Sequence, residues 1–72
     1  MKKVKKIKIK INGKITKVKN SMKLSSFLKN LKITIKKVAI ELNQEIVDKT
    51  KLNRINLKKN DKIEIVHFIG GG

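Results

Sequence analysis

The 72-residue chain contains no cysteine, proline, tryptophan or tyrosine, and two phenylalanines are its only aromatic residues. Without cysteine it has no disulfide, no thiol nucleophile and no Cys-based zinc site, and the single His67 cannot hold a metal ion alone. We therefore predict no metal site and a reducing, cytoplasmic location. The small core that a chain of this length can bury must be aliphatic.

Acidic residues and long apolar runs are also scarce. Five acidic residues stand against 20 basic ones, which gives a net charge of +15. No run approaches the roughly 18 apolar residues that cross a bilayer, and the basic N-terminus lacks the apolar stretch of a secretory signal. We expect a soluble protein without a membrane partner.

The positive charge is concentrated in residues 1–40, which contain 14 lysines and no acid. Clustered lysines favour nucleic-acid binding, because they release counterions from a phosphate backbone. Sequence-specific readers, however, use arginine for guanine, and single-strand binders use aromatic platforms. The chain has one arginine, Arg54, and two phenylalanines. A basic nucleic-acid-binding protein remains an alternative, but we interpret most lysines as solvated surface and predict no specific nucleic-acid partner.

A β-hairpin is predicted near the N-terminus. Isoleucine alternates with lysine from Ile7 to Ile11, with the period of two that is typical of a half-buried strand. Asn12-Gly13 follows, and this pair strongly favours a type I′ turn. The resulting register pairs Ile11 with Lys14, Ile9 with Thr16 and Ile7 with Val18. The expected core face consists of Ile7, Ile9, Thr16 and Val18, with Ile15 on the outer face.

One helix is predicted after the polar break at Asn20-Ser21. Its apolar stripe, at positions i, i+3, i+4 and i+7, consists of Leu24, Phe27, Leu28 and Leu31. Ser21 or Ser25 is expected to cap the start of this helix.

Further strands are predicted in the second half of the chain. The first of these is an alternating strand with Val38, Ile40 and Leu42, followed by a turn at Asn43-Gln44 and a short return strand from Glu45 to Asp48. A loop or single helical turn with Leu52, Ile55 and Leu57 comes next. A turn at Asn60-Asp61 then leads to a last strand from Lys62 to Ile69. The class is α+β: a mixed sheet of four to five strands with one helix packed across it. This order of elements is that of the β-grasp, or ubiquitin-like, fold. We expect one domain over residues 1–72, with residues 1–5 as a basic leader and residues 70–72 as a flexible glycine tail.

The chain ends in "VHFIGGG", with three glycines directly behind the last predicted strand. This ending, together with "LNQEIVDKTKL" and "KNDKIEIVHFIGGG", resembles the ThiS family of ubiquitin-like sulfur carriers in thiamine biosynthesis. The resemblance extends from Ile7 to Gly72. Two alternatives stay open: a MoaD-type carrier for molybdopterin synthesis, and a ubiquitin-like covalent modifier.

The resemblance implies a protein cosubstrate and not an enzyme. The C-terminal carboxylate of Gly72 would be adenylated by a ThiF-like enzyme that uses ATP and magnesium, and then converted to a thiocarboxylate. A protein such as a cysteine desulfurase would supply the sulfur, and a ThiG-like thiazole synthase would receive it. The chain itself would bind no cofactor. Gly70 and Gly71 would give the terminus access to a narrow active site, since glycine has no Cβ.

The last strand also suggests a docking surface. If Ile63 and Ile65 face the core, then Val66 and Phe68 project outward beside the tail. We predict that Val66, Phe68 and Ile69 bind the partner protein, as aromatic anchors often do. We interpret His67 as an ordinary strand residue, because no second catalytic side chain accompanies it.

Overall fold

The computed structural model describes residues 5–68 of the chain. The strands are β1 (Lys6–Ile11), β2 (Lys14–Lys19), β3 (Val38–Leu42), β4 (Glu45–Ile46) and β5 (Lys62–His67). The α-helix α1 is Leu24–Asn30, and two 3₁₀ helices are Ile35–Lys37 and Lys49–Arg54. This order agrees with the predicted sequence of hairpin, helix and later strands.

The five strands form one mixed sheet in the order β2-β1-β5-β3-β4. The central pair, β1 and β5, is parallel, and every other pair is antiparallel. The N-terminal hairpin and the last strand therefore lie side by side, although they are at opposite ends of the sequence. The start of β5 lies beside the end of β1, and the C-terminal end of β5 extends beyond β1 and pairs with β3.

The hairpin forms in the predicted register. Ile11 pairs with Lys14, Ile9 with Thr16 and Ile7 with Val18. Asn12 and Gly13 have φ angles of 49° and 83°, which are the positive values that a type I′ turn requires.

The Asn12 side chain has a second role that the turn signal does not predict. Its Oδ1 accepts a hydrogen bond of 2.8 Å from the Ile65 amide of β5. Its backbone amide also donates to the Ile63 carbonyl at 2.9 Å. Asn12 therefore extends the contact between the hairpin and β5 beyond the last residue pair of the two strands.

The core lies between one face of the sheet and α1. It is aliphatic apart from Phe27, as the composition predicts, and its buried members are Ile9, Val18, Leu24, Phe27, Leu28, Val38, Ile40, Leu52, Leu57, Ile63 and Ile65. Leu52 and Leu57 come from the segment predicted to be a loop or a single helical turn. That segment is instead a six-residue 3₁₀ helix, Lys49–Arg54, followed by an extended stretch.

Further details of the prediction are wrong. Neither Ser21 nor Ser25 caps α1, because the N-cap residue is Lys23 and no side chain caps it. The Leu24 amide instead donates to the Ile55 carbonyl at 2.8 Å, so a neighbouring segment supplies the missing acceptor. Leu31 lies past the end of the helix and is 44% exposed.

Two strands are shorter than predicted. β5 ends at His67, before the described residue Phe68, and β4 ends at Ile46 and does not reach Asp48. Asp48 accepts a hydrogen bond from the Thr50 amide and so begins the second 3₁₀ helix, which turns the chain away from the sheet edge.

A polar network ties the turn after β3 to the start of β5. The buried Asp61 accepts hydrogen bonds from the Asn43 side-chain amide at 3.0 Å and from the Lys58 backbone amide at 2.7 Å. Asn43 in turn accepts from the Lys62 amide at 2.9 Å. Asp61 is thus buried with both carboxylate oxygens bonded, and it fixes where β5 begins.

Among the described residues, no helix is long and apolar enough to cross a membrane.

Candidate functional site

The C-terminal end of β5 is the candidate site, because β5 is the strand that leads to the glycines. His67 pairs with Val38 of β3, and the Phe68 amide donates to the Lys37 carbonyl at 2.9 Å. Phe68 is therefore still held by the backbone of the fold. The predicted site residues Ile69, Gly70, Gly71 and Gly72 lie outside the described residues.

Val66 and Phe68 are both exposed, as the alternation along the last strand predicts. Their side chains are 53% and 57% exposed, whereas Ile63 and Ile65 are buried in the core. Val66 pairs with Ala39 of β3, on the sheet face that α1 does not cover. The exposure of the two side chains is confirmed, and their role in partner binding remains a prediction.

The Phe68 ring has one cationic neighbour. The Lys49 ammonium lies 5.4 Å from the ring centroid, within the range of a cation–π interaction. Lys49 is the first residue of the second 3₁₀ helix, which Asp48 caps. Phe68 is consequently an exposed aromatic residue whose backbone is hydrogen-bonded to Lys37 and whose ring lies beside the second 3₁₀ helix.

The Asp48 cap is a charged group with an altered pKa. The Thr50 hydroxyl donates to Asp48 Oδ1 at 2.7 Å, and the Thr50 backbone amide donates to the same oxygen at 2.9 Å. These two bonds hold the pKa of the Asp48 carboxyl below its usual value, because they stabilise the ionised form.

Residues 5–68 contain one histidine and five acidic side chains as candidates for metal binding or acid–base chemistry. In this part of the chain, no group of three or more His, Cys, Asp or Glu side chains could hold a metal ion. His67 is exposed and pairs with Val38, in agreement with its interpretation as a strand residue. A cleft of about 380 Å³ near Arg54 is lined partly by Asn43 and Asp61, whose polar atoms already bond within the fold.

Sequence reasoning missed the contributions of Ala39 and Lys49 to this surface. Ala39 lies beside Val66, which is 27 residues later in the sequence, and Lys49 lies beside Phe68, which is 19 residues later. Hydrophobic periodicity does not predict such long-range neighbours. The Asp48 cap could have been predicted from the sequence, because Asp48 and Thr50 are spaced as an Asx turn requires.

The chain matches the family model described as "ThiS family" over residues 5–72. It is 37% identical over 65 residues to the sulfur carrier protein ThiS of Bacillus subtilis, covering 89% of this chain and 98% of that protein. It is also 41% identical over 66 residues to a thiazole synthase of Paramagnetospirillum magneticum. The match covers 92% of this chain but only 20% of the synthase, so the chain spans about a fifth of that protein's length.

A solved structure has the same fold. The crystal structure of a ThiS from Geobacter metallireducens superposes with a TM-score of 0.81 at 29% sequence identity. The superposition covers 92% of this chain and all of the other, 100%. The predicted β-grasp class is confirmed by this match and by the mixed sheet of five strands with one helix.

Proposed function

The chain belongs to the ThiS family, and on that premise we propose that it is a sulfur carrier of thiamine biosynthesis whose Gly72 carboxylate becomes a thiocarboxylate. The family predicted from the sequence is confirmed. The observation that carries the proposal is that the family match extends to Gly72, across the glycines that follow β5. The absence of cysteine is compatible with this role, since the sulfur would be bonded to the terminal carbonyl carbon.

The position of β5 supports this use of the terminus. Phe68 is the last residue that the described fold holds, and four residues follow it. Four residues of extended chain span at most about 14 Å, which is enough to place a carboxylate inside a partner's active site while Val66 and Phe68 stay at its entrance. Glycine at positions 70–72 leaves the backbone without side chains that a narrow channel would exclude.

The chain would be a protein cosubstrate and not an enzyme. A ThiF-like enzyme would use ATP and magnesium to join the Gly72 carboxylate to AMP, with release of pyrophosphate. The persulfide of a donor such as a cysteine desulfurase would then displace AMP to form an acyl disulfide, and a thiol reductant would cleave its S–S bond to release the thiocarboxylate. All of these groups belong to the partners, and the proposed compartment is the cytoplasm, where ATP is available to them.

A ThiG-like thiazole synthase is the proposed acceptor of the sulfur. Support comes from the Paramagnetospirillum relative, in which a segment similar to this chain makes up 20% of a protein named thiazole synthase. Joining a carrier to its acceptor in one chain raises their effective concentration, so such a fusion is informative about partnership. The exposed Val66 and Phe68 would anchor the contact with the partner.

Intact-mass measurement tests the proposal directly. The chain is incubated with ATP, magnesium, a ThiF-type enzyme and a sulfur donor, and the expected product is heavier by one exchange of oxygen for sulfur. Fragmentation should place the change on Gly72. The control omits ATP, and no mass change is expected there because the carboxylate is not activated.

Two results would contradict the proposal. One is an unchanged mass when the same enzyme loads sulfur onto a known carrier. The other is an isopeptide bond between Gly72 and a lysine of another protein in place of a free thiocarboxylate, which would identify a covalent modifier.

A further inference from the structure

Lysine dominates one part of the sheet face that α1 leaves uncovered. Strand alternation and register place six lysines there, all of them exposed. We call this set the lysine face; it consists of Lys6, Lys8, Lys10, Lys17, Lys19 and Lys62. Among the described strands, the acids on the same side of the sheet are Glu41 and Glu64, which pair with each other on β3 and β5.

The lysines of this face are arranged as like-charged pairs across the strands. Lys6 is opposite Lys19, Lys8 is opposite Lys17, and Lys10 is opposite Lys62. Like charges directly opposite each other destabilise a sheet. Three such pairs, without an acid on either hairpin strand, work against folding, and a partner's carboxylates would relieve the repulsion.

An exposed aliphatic side chain lies within the lysine face. Ile15 is opposite Lys10 and is 67% exposed. It borders a cleft of about 290 Å³ that is also lined by Lys8, Lys10 and Lys62. The surface that this face fits is therefore acidic and carries an apolar side chain that can contact Ile15.

We propose that the lysine face is a second docking surface, which binds an acidic surface of the thiazole synthase-type partner and accelerates association with it. The identity of the partner rests on the proposed function. Lys62 of this face and Val66 of the predicted anchor lie on the same side of β5, with the Glu41–Glu64 pair between them. One partner surface can cover both if it meets that pair with a basic or neutral group.

A protein fits this face better than a nucleic acid does. A phosphate backbone matches lysine charge but offers no apolar group for Ile15, and the face has no aromatic side chain on which a base could stack. Electrostatic complementarity between proteins acts mainly on the association rate, and salt screens it.

The test compares Lys17→Glu with Lys29→Glu. Both variants lower the net charge by the same amount, but Lys29 is an exposed residue of α1 and lies across the sheet from the lysine face. The association rate with purified thiazole synthase of the same organism is measured by stopped flow at about 20 mM and about 150 mM salt. Melting temperature is recorded for each variant.

For Lys17→Glu we expect an association rate about fivefold lower than that of the unaltered chain at low salt, with a smaller difference at high salt. The same variant should melt about 3 °C higher, because the introduced carboxylate would form an ion pair with Lys8 in place of a repulsive contact. Lys29→Glu should leave the rate within about twofold. A purely structural role would change the melting temperature and leave the association rate unaltered.

Equal association rates for the two variants, or no association of the unaltered chain with the synthase, would overturn the inference. So would tight binding of a DNA duplex at about 150 mM salt that Lys17→Glu abolishes while synthase association is unchanged. These outcomes are separate from failure of the proposed function, which is absence of the thiocarboxylate in the mass measurement.

Discussion

The two halves of the uncovered sheet face have different chemistry. The hairpin half, β1 and β2, carries five exposed lysines and one exposed isoleucine. The half formed by β5, β3 and β4 carries Lys62 at its border with β1, the pair Glu41 and Glu64, the neighbours Ala39 and Val66, and the exposed Ile46. The lysine charges of the first half attract an acidic partner from as far as about a Debye length, whereas the apolar side chains of the second half stabilise a complex only after the two surfaces touch.

This difference assigns separate roles to the halves. In the proposed complex, the lysines increase the association rate, and Val66 and Phe68 slow dissociation. Neither half contains the reacting group, which in the proposed function is the carboxylate of Gly72. Variants that affect one half and not the other can therefore test the division.

Deletion of Gly72 should have the largest effect, because it removes the reacting carboxylate from its place and leaves both halves intact. We expect no thiocarboxylate by intact mass and a melting temperature equal to that of the full chain. Binding to the partner should persist. Sulfur loading of the shortened chain would show that the site is assigned to the wrong residue.

Phe68→Ala should weaken only the partner contact made by the half formed by β5, β3 and β4. Loss of an exposed aromatic anchor should raise the dissociation constant for the partner about tenfold, mainly through faster dissociation. The free energy of unfolding should fall by no more than about 1 kcal/mol, since the ring is exposed and its contact with Lys49 is a surface cation–π interaction.

The matched control for this variant is Leu31→Ala, which removes an exposed apolar side chain beyond the end of α1. It should leave partner affinity unchanged. A large loss of stability in Phe68→Ala would instead mean that the ring supports the core.

Asn12→Gly should weaken the connection between the two halves. Glycine tolerates the positive φ of position 12 but has no acceptor for the Ile65 amide, so we expect a loss of about 2 kcal/mol in the free energy of unfolding. Asn12→Asp keeps the oxygen that accepts from the Ile65 amide and loses only the longer bond of 3.4 Å from Asn12 Nδ2 to the Ile65 carbonyl, so it should lose less in the same denaturant titration. Equal losses in both variants would contradict a role for the Oδ1 acceptor.

The smallest expected effect concerns the Asp48 cap beside Lys49. Because the folded pKa of Asp48 lies below its unfolded value, its ionised form stabilises the fold above about pH 4, and this contribution is lost as pH falls through the folded pKa. The melting temperature of the unaltered chain should slightly exceed that of Asp48→Asn at pH 6, and the difference should vanish in acid. Thr50→Ala removes the hydroxyl donor and should reduce the same difference. A difference that does not change with pH would contradict the ionic origin of the cap.

Much of the hairpin could be predicted because its information is local. Alternation from Ile7 to Ile11 and the Asn12-Gly13 turn specify both strands and their register, and the structure agrees residue by residue. The exposure of Val66 and Phe68 follows from the same alternation once Ile63 and Ile65 are placed in the core.

One error occurs where a distant segment competes with a local signal, and another where two local signals compete with each other. Serines near the start of α1 favour a side-chain cap, but the Ile55 carbonyl already accepts from the Leu24 amide. The strand predicted up to Asp48 ends early, because the bonds from Thr50 begin a 3₁₀ helix there. The Ile55 carbonyl becomes available to Leu24 only in the folded chain, whereas the bonds between Thr50 and Asp48 span two residues and form a local turn.

The sequence by itself determined the β-grasp order of elements, the aliphatic core and the resemblance to the ThiS family, since these follow from periodicity, composition and local motifs. Tertiary structure alone decided that Lys62 lies opposite Lys10. It also decided that Lys49 contacts Phe68. The physical reason is that strand order and long-range pairing depend on how the whole chain buries its apolar surface, and a charged face forms only where that pairing assembles it.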